Sequence, residues 1–208
     1  MCFRVRCRAA FFSFFFFFIP FLVFAGEPTE QLKKATDKVV AILGDLNLGS
    51  EEKADQKRML IRSAIDEVFD WSLISQRALG TYWKEREDKE KEEFVLLFGK
   101  LLERTYLTKL GTYQGIKIEF LDEKVIDRKD GKYAAIMTRV ITEGGSDIKV
   151  DYRLRLIGDK WMVYDVFVEG VSLVNNYRIQ FRDIINKSSY EELVKKLKEN
   201  IAKGDAEA

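Results

Sequence analysis

Ile148-Lys149-Val150-Asp151-Tyr152-Arg153-Leu154-Arg155-Leu156 alternates apolar and charged residues without a break. A period of two is the mark of a strand with one dry face and one wet face. Ile148, Val150, Tyr152, Leu154 and Leu156 turn to one side, and Lys149, Asp151, Arg153 and Arg155 to the other. The same period extends outward from this stretch. It predicts four strands, over 116–126, 132–143, 147–157 and 160–168. Asp130-Gly131, Gly144-Gly145 and Gly158-Asp159 fall between them and supply the turns of an antiparallel meander.

On both sides of the strands the period becomes helical. Leu32, Ala35, Val39, Ile42, Leu43 and Leu46 share one face, and Gly49 ends that segment. Ile61, Ala64, Ile65, Val68 and Phe69 make a second face. Asp70 is placed to cap a short helix that Gly80 terminates. The longest stripe is Phe94, Leu97, Phe98, Leu101, Leu102, Tyr106, Leu110 and Tyr113. After the strands, Ser172 caps a helix bearing Tyr177 and Phe181. Ser189 with Glu192 forms a capping box ahead of Tyr190, Leu193, Val194, Leu197 and Ile201. Helices, then an antiparallel sheet, then helices indicate an α+β domain with a curved four-stranded sheet. Helices across its concave face would enclose a cone whose interior is either core or cavity.

The first residues address the chain. Arg4, Arg6 and Arg8 precede an apolar run from Phe11 to Phe24, and Val23-Phe24-Ala25 offers small residues at −3 and −1. That run is shorter than the ~20 residues of a spanning helix, so it reads as a signal peptide over 1–25, cleaved before Gly26. A single domain over 26–208 follows. Both cysteines, Cys2 and Cys7, depart with the leader, and the chain contains no histidine. Disulfides, Cys/His zinc sites and His-dependent triads or dyads are therefore excluded for the mature protein. Loss of the three leader arginines moves the net charge from +1 to −2. Interspersed signs near neutrality exclude the basic stripe that nucleic acid requires.

Catalysis would have to rest on carboxylates. Asp70, Glu123, Asp165 and Glu169 stand beside apolar neighbours, and a desolvated carboxylate can act as a general base. The ordinary alternative is that they cap helices or pair with Arg77, Arg178 and Arg182. Trp71, Tyr82, Trp83, Phe94, Phe98, Tyr106, Tyr113, Trp161, Tyr164, Phe167, Tyr177 and Phe181 are a heavy aromatic load. Periodicity does not separate a filled core from an apolar cavity. Lys84 to Lys91 is a solvated helix start with i,i+4 charge pairs.

Two stretches carry a resemblance. Ile74-Ser75-Gln76-Arg77-Ala78-Leu79-Gly80-Thr81-Tyr82-Trp83 resembles the "ISRRALGxYW" segment of the MlaC family. Trp161 to Val166, continued by Glu169-Gly170-Val171-Ser172-Leu173-Val174-Asn175-Asn176-Tyr177-Arg178, is similar to that family's most distinctive block. Leu101 to Tyr106 and Leu110 to Tyr113 also match. Gln76 and Ile179 depart from the family's usual Arg and Ser. The resemblance implies an NTF2-like cone and a periplasmic phospholipid-binding component of the Mla lipid transport system. Such a carrier, expected as a monomer without cofactor or metal, would exchange phospholipid with two partners. One is an MCE-domain inner-membrane ABC transporter complex, the other an outer-membrane lipoprotein complex. Its acyl chains would lie on the apolar faces, here Val68, Phe69, Leu79, Phe94, Leu97, Phe98, Leu101, Ile136, Val150, Tyr152, Leu154, Val163, Val166, Val168, Val171 and Tyr177. The competing readings are an NTF2-like isomerase or hydrolase using Asp165 or Glu169, and an adaptor with a solid interior.

Overall fold

The alternating segments pair as the turn signals require. In the computed structural model, which describes residues 27–107 and 115–205, the strands are β1 (Lys117–Arg128), β2 (Gly131–Ile141), β3 (Asp147–Ile157) and β4 (Lys160–Val168). A two-residue β5 (Val171–Ser172) folds back on β4, one strand more than the sequence predicts. All neighbours are antiparallel, in the order β1-β2-β3-β4-β5. The fifth strand exists because Glu169-Gly170 makes a tight turn. Glu169 takes a left-handed φ of 50°, and its side chain accepts a hydrogen bond from the Lys149 amide. The predicted leader over 1–25, and Leu110 and Tyr113 of the long stripe, lie outside the described residues.

Register confirms the two faces. Leu154 lies opposite Ala134 and Val163, and Tyr152 opposite Ile136 and Val166. Arg155 lies opposite Tyr133, and Asp151 opposite Met137 and Phe167, on the other face. Bulges between Phe120 and Asp122, and where Tyr164 is inserted opposite Arg153 and Leu154, locally raise the twist and bend the sheet.

Among the described residues six α-helices accompany the sheet: α1 (Pro28–Gly44), α2 (Ala54–Asp66), α3 (Trp71–Leu79), α4 (Asp88–Leu102), α5 (Leu173–Lys187) and α6 (Tyr190–Asp205). Pro28 opens α1, where its missing N–H costs nothing. Gln31 then clasps the backbone of Trp161, donating to its carbonyl at 2.8 Å and accepting from its amide at 2.9 Å. Asp70 accepts from the Leu73 amide at the head of α3, and Ser172 from Asn175 at the head of α5. Gly80 ends α3 with a φ of 65°. α4 runs into a π-helical turn over Glu103–Leu107. The second helix stops short of its predicted end. The amides of Val68 and Phe69 still donate to the Ile65 carbonyl, but the chain then turns to β4: the Val163 amide donates to the Val68 carbonyl at 2.7 Å, and the Asp70 amide to the Val163 carbonyl at 2.9 Å. No helix among the described residues is long and apolar enough to cross a membrane.

The interior falls into two hydrophobic clusters. One is helical: Ile74, Leu79, Phe94, Phe98, Tyr177, Phe181 and Leu193 lock α3, α4, α5 and α6 together. Phe98 meets Tyr177 and Phe181 edge to face, with ring centroids 5.1 and 5.2 Å away. The other joins α1 to the sheet through Leu32, Ala134, Ile136, Leu154, Trp161 and Val163. Phe69 packs against both.

Candidate functional site

Between the two clusters lies a cleft of about 180 Å³. Ile65 at the end of α2, Phe69 and Trp71 form one wall. Leu102 and Tyr106, on α4 and its π-helical turn, form the second. Tyr152, Val166 and Val168 on the inner face of the sheet, with Leu173, form the third. These positions follow from the local sequence. Strand period two brings Tyr152, Val166 and Val168 onto one face. The Val68–Val163 backbone pairing holds Phe69 above that face. The stripe of α4 continues through Leu102 to Tyr106.

Polar groups are few and stand at the rim. Arg62 donates from Nε to Asp66 Oδ1 at 2.7 Å and from an Nη to Glu103 Oε2 at 3.0 Å, while its guanidinium lies 4.6 Å over the Trp71 ring. Gly99 makes room for it, since a Cβ there would stand 3.3 Å from an Arg62 Nη. Arg62 thus ties α2, α3 and α4 across one edge of the cleft. Inside, Tyr106 hydrogen-bonds to Tyr177, and burial first, then the neighbouring Tyr177, pushes its phenol up to about 12. Burial alone pushes the Tyr152 phenol up to about 12. A wall that keeps a phenol neutral so far above its ordinary range is a low-dielectric one, suited to hydrocarbon.

Neither candidate base belongs to the cleft. Asp165 is buried and committed to the chain entering α5. It accepts from the Val166 amide at 2.9 Å, Ser172 Oγ at 2.7 Å and the Val174 amide at 3.2 Å. Glu169 is exposed in the β4–β5 turn. Asp70 caps α3, and Glu123 accepts from the Thr29 amide at 2.9 Å. Among the described residues no group of three or more Cys, Asp or Glu is arranged to hold a metal ion.

A family model described as MlaC protein matches residues 33–199. The chain belongs to the MlaC family. Two relatives match over most of their length. The intermembrane phospholipid transport system binding protein MlaC of Haemophilus influenzae is 24% identical over 178 residues, covering 84% of this chain and 82% of the relative. The toluene tolerance protein ttg2D of Pseudomonas putida is 26% identical over 175 residues, covering 81% and 78%. A solved phospholipid-binding protein from Ralstonia solanacearum, in complex with a phospholipid, superposes with a TM-score of 0.73 at 27% identity, covering 85% of this chain and 98% of that one.

Within this MlaC chain the predicted lining positions separate into groups. Phe69, Tyr152, Val166 and Val168 line the cleft. Leu79, Phe94, Phe98, Leu101 and Tyr177 belong to the helical cluster, with Leu97 packed against it. Ile136, Leu154 and Val163 are fully buried in the sheet cluster. Val68 is buried towards α1, beside Gln31 and Ala35, away from the cleft. Val150 is half-buried on the inner face near the β4–β5 turn, opposite Val168. Val171 is 59% exposed on β5, outside the cleft lining. Sequence reasoning missed Arg62, Ile65, Trp71, Leu102, Glu103, Tyr106 and Leu173 as lining residues. Leu102 and Tyr106 were visible on the α4 stripe. Trp71 and Arg62 carried no periodic signal, because their place depends on how α2 turns into α3.

Proposed function

We propose that this chain binds a phospholipid and carries it between membranes, with the acyl chains in the cleft between the two clusters and the head group at the rim near Arg62 and Glu103. The observation that carries this reading is the divided core. Aromatic and branched side chains from α2, α4 and the sheet face one another across a seam instead of interlocking. The Haemophilus relative's name speaks of intermembrane phospholipid transport, and the Ralstonia protein holds a phospholipid. After leader cleavage the protein works in the periplasm, without catalysis and as a monomer. There it exchanges cargo with an MCE-domain ABC transporter complex in the inner membrane and a lipoprotein complex in the outer membrane.

Energetics suit a carrier. Two acyl chains of roughly 30 methylenes in all gain on the order of 24 kcal/mol on leaving water. A bilayer offers them nearly the same environment, so transfer from membrane to protein is close to balanced and small differences between partners set its direction. The cleft is smaller than the ~300–1,000 Å³ of an ordinary ligand pocket, so loading must part the helical cluster from the sheet cluster. Native mass spectrometry of the mature protein from periplasmic extract tests the proposal. A mass beginning at Gly26 with a phospholipid adduct is expected. A folded, pure preparation without extractable lipid, and unable to take lipid from vesicles, would refute it.

A further inference from the structure

The two clusters draw every strand residue they contain from the inner face of the sheet. The outer face carries a connected set of arginines and rings. Tyr133 and Tyr164 meet edge to face at 6.0 Å. The Arg128 and Arg155 guanidiniums lie 4.8 and 5.7 Å from the Tyr133 ring, and Arg77 lies 4.7 Å from Tyr164. One strand pair further along, Arg153 covers Phe167 at 4.6 Å.

Among the described residues these four arginines make no ion pair, nor do Arg104 and Arg178, which are bonded to Asn200 and the Arg77 carbonyl, whereas Arg58, Arg62, Arg86, Arg139 and Arg182 all do. Their hydrogen bonds go to carbonyls instead: Arg155 donates to Asp130 O at 3.0 Å and Arg153 to Tyr152 O at 3.3 Å. A ring holds a guanidinium flat and lowers the entropy cost of using it, and leaves edge N–H groups available to bind a carboxylate in bidentate fashion; the single Asp130 carboxylate offsets part of the charge of Arg128 and Arg155. Tyrosine, phenylalanine and arginine are also the types enriched at the centres of protein interfaces, where lysine is scarce.

We infer that the outer face of the sheet docks a protein partner, and that the partner presents carboxylates to Arg77, Arg128 and Arg155. The inference rests on the carrier reading, since a carrier must be met by the assemblies that load and unload it. A protein suits this face better than an anionic bilayer. The Asp130 carboxylate stands within the arginine set, holding the Tyr133 hydroxyl at 2.6 Å, and lipid phosphates would be repelled there. A partner's side chains can be placed around it. The cleft and the patch lie on opposite faces of the sheet, so docking leaves the cargo side free.

The test uses lipid-loaded mature protein. Binding is measured to two immobilised probes, the MCE-domain transporter complex and the outer-membrane lipoprotein complex of the same source, and to vesicles of phosphatidylglycerol with phosphatidylcholine. Arg77→Gln/Arg128→Gln/Arg155→Gln is expected to weaken binding to one complex by about thirtyfold or more, with melting temperature and lipid content unchanged. Arg128→Lys/Arg155→Lys, which keeps the charge but loses the planar fork, should fail to restore it. Unaltered binding of the glutamine variant to both complexes would overturn the inference while leaving the carrier reading standing. Loss of vesicle binding alone, restored by lysine, would overturn it in favour of a membrane contact. If the wild-type chain binds neither complex, the shuttle reading fails and this inference with it.

Discussion

Leu154→Arg and Val166→Arg place the same charge on the same face of the sheet, on adjacent strands, yet should behave oppositely. Leu154 is 0% exposed and packed among Leu32, Ala134, Ile136, Trp161 and Val163. Replacing it forfeits about 1.5–3 kcal/mol of apolar burial and leaves an unpaired buried cation, worth a further ~3–5 kcal/mol. The sum is comparable to the ~5–15 kcal/mol stability of a whole domain, so Leu154→Arg should be unfolded or molten. Val166 is half-buried on the cleft wall. Its burial is worth less, and an arginine stem can lie along the apolar wall with its head group towards Glu103 at the rim. Val166→Arg should stay folded, losing about 1–2 kcal/mol, and its charge should occupy the space proposed for acyl chain. Far-UV circular dichroism melts with lipid extraction on the same samples decide the matter. A folded, lipid-free Leu154→Arg would show that the cavity reaches through the sheet cluster. An unfolded Val166→Arg would show the seam to be ordinary closed core.

Other perturbations test neighbouring parts. Tyr152 ionises about two pH units later in the folded chain than in the unfolded one, so it favours folding fully below pH ~10 and loses that advantage as pH rises towards about 12. Tyr152→Phe should flatten the alkaline fall in stability, by about 3 kcal/mol at most, without lowering lipid content; an unchanged pH profile would refute the assignment. Asp165→Asn removes the charge that gathers Ser172 Oγ and the Val166 and Val174 amides. It should cost about 1–3 kcal/mol in denaturant melts and retain bound lipid, while the exposed Glu169→Gln should change either quantity little. Arg62→Met unties α2 from α4 at the rim, and should speed the loss of lipid to acceptor vesicles while lowering the melting temperature by a few degrees; an unaltered exit rate would deny Arg62 a part in closing the cleft.

Local rules made much of this fold legible. Alternation through 147–157, the three glycine turns and the caps at Asp70 and Ser172 all specify structure within a few residues of themselves, and each is where the sequence placed it. Three features were hidden, each decided by distant partners. β5 depends on Glu169 accepting a left-handed φ and a bond from Lys149. The early end of α2 depends on Val163 taking the Val68 carbonyl. The division of the interior was the costliest to miss. Phe94 and Val166 both read as apolar-face residues, and nothing in a period of 3.6 or 2 states whether the two faces meet. In the structure Phe94 faces Phe181 at 5.6 Å, within the helices, whereas Val166 faces the cleft.

Topology accounts for that division. Among the described residues four α-helices precede the first strand, so the sheet must close on a helical layer it did not grow from. Among the described residues α1 joins the sheet cluster through Leu32 and the Gln31–Trp161 clasp. α5 and α6 follow the last strand and pack back on α3 and α4, completing a helical cluster that needs nothing from the sheet's centre. Each cluster satisfies itself, and the seam between them is left to Phe69 and to side chains that are only partly buried. In a solid-core adaptor those side chains would interlock to the close packing of a protein interior, because unfilled apolar space is destabilising. Here Val68 and Asp70 anchor the α2–α3 elbow to β4 by backbone hydrogen bonds that do not depend on how tightly the cleft is filled. Such an elbow ties helices to sheet at one place and leaves each cluster closed on itself, which is the mechanical requirement on the proposed carrier, whose clusters would have to part around hydrocarbon without breaking.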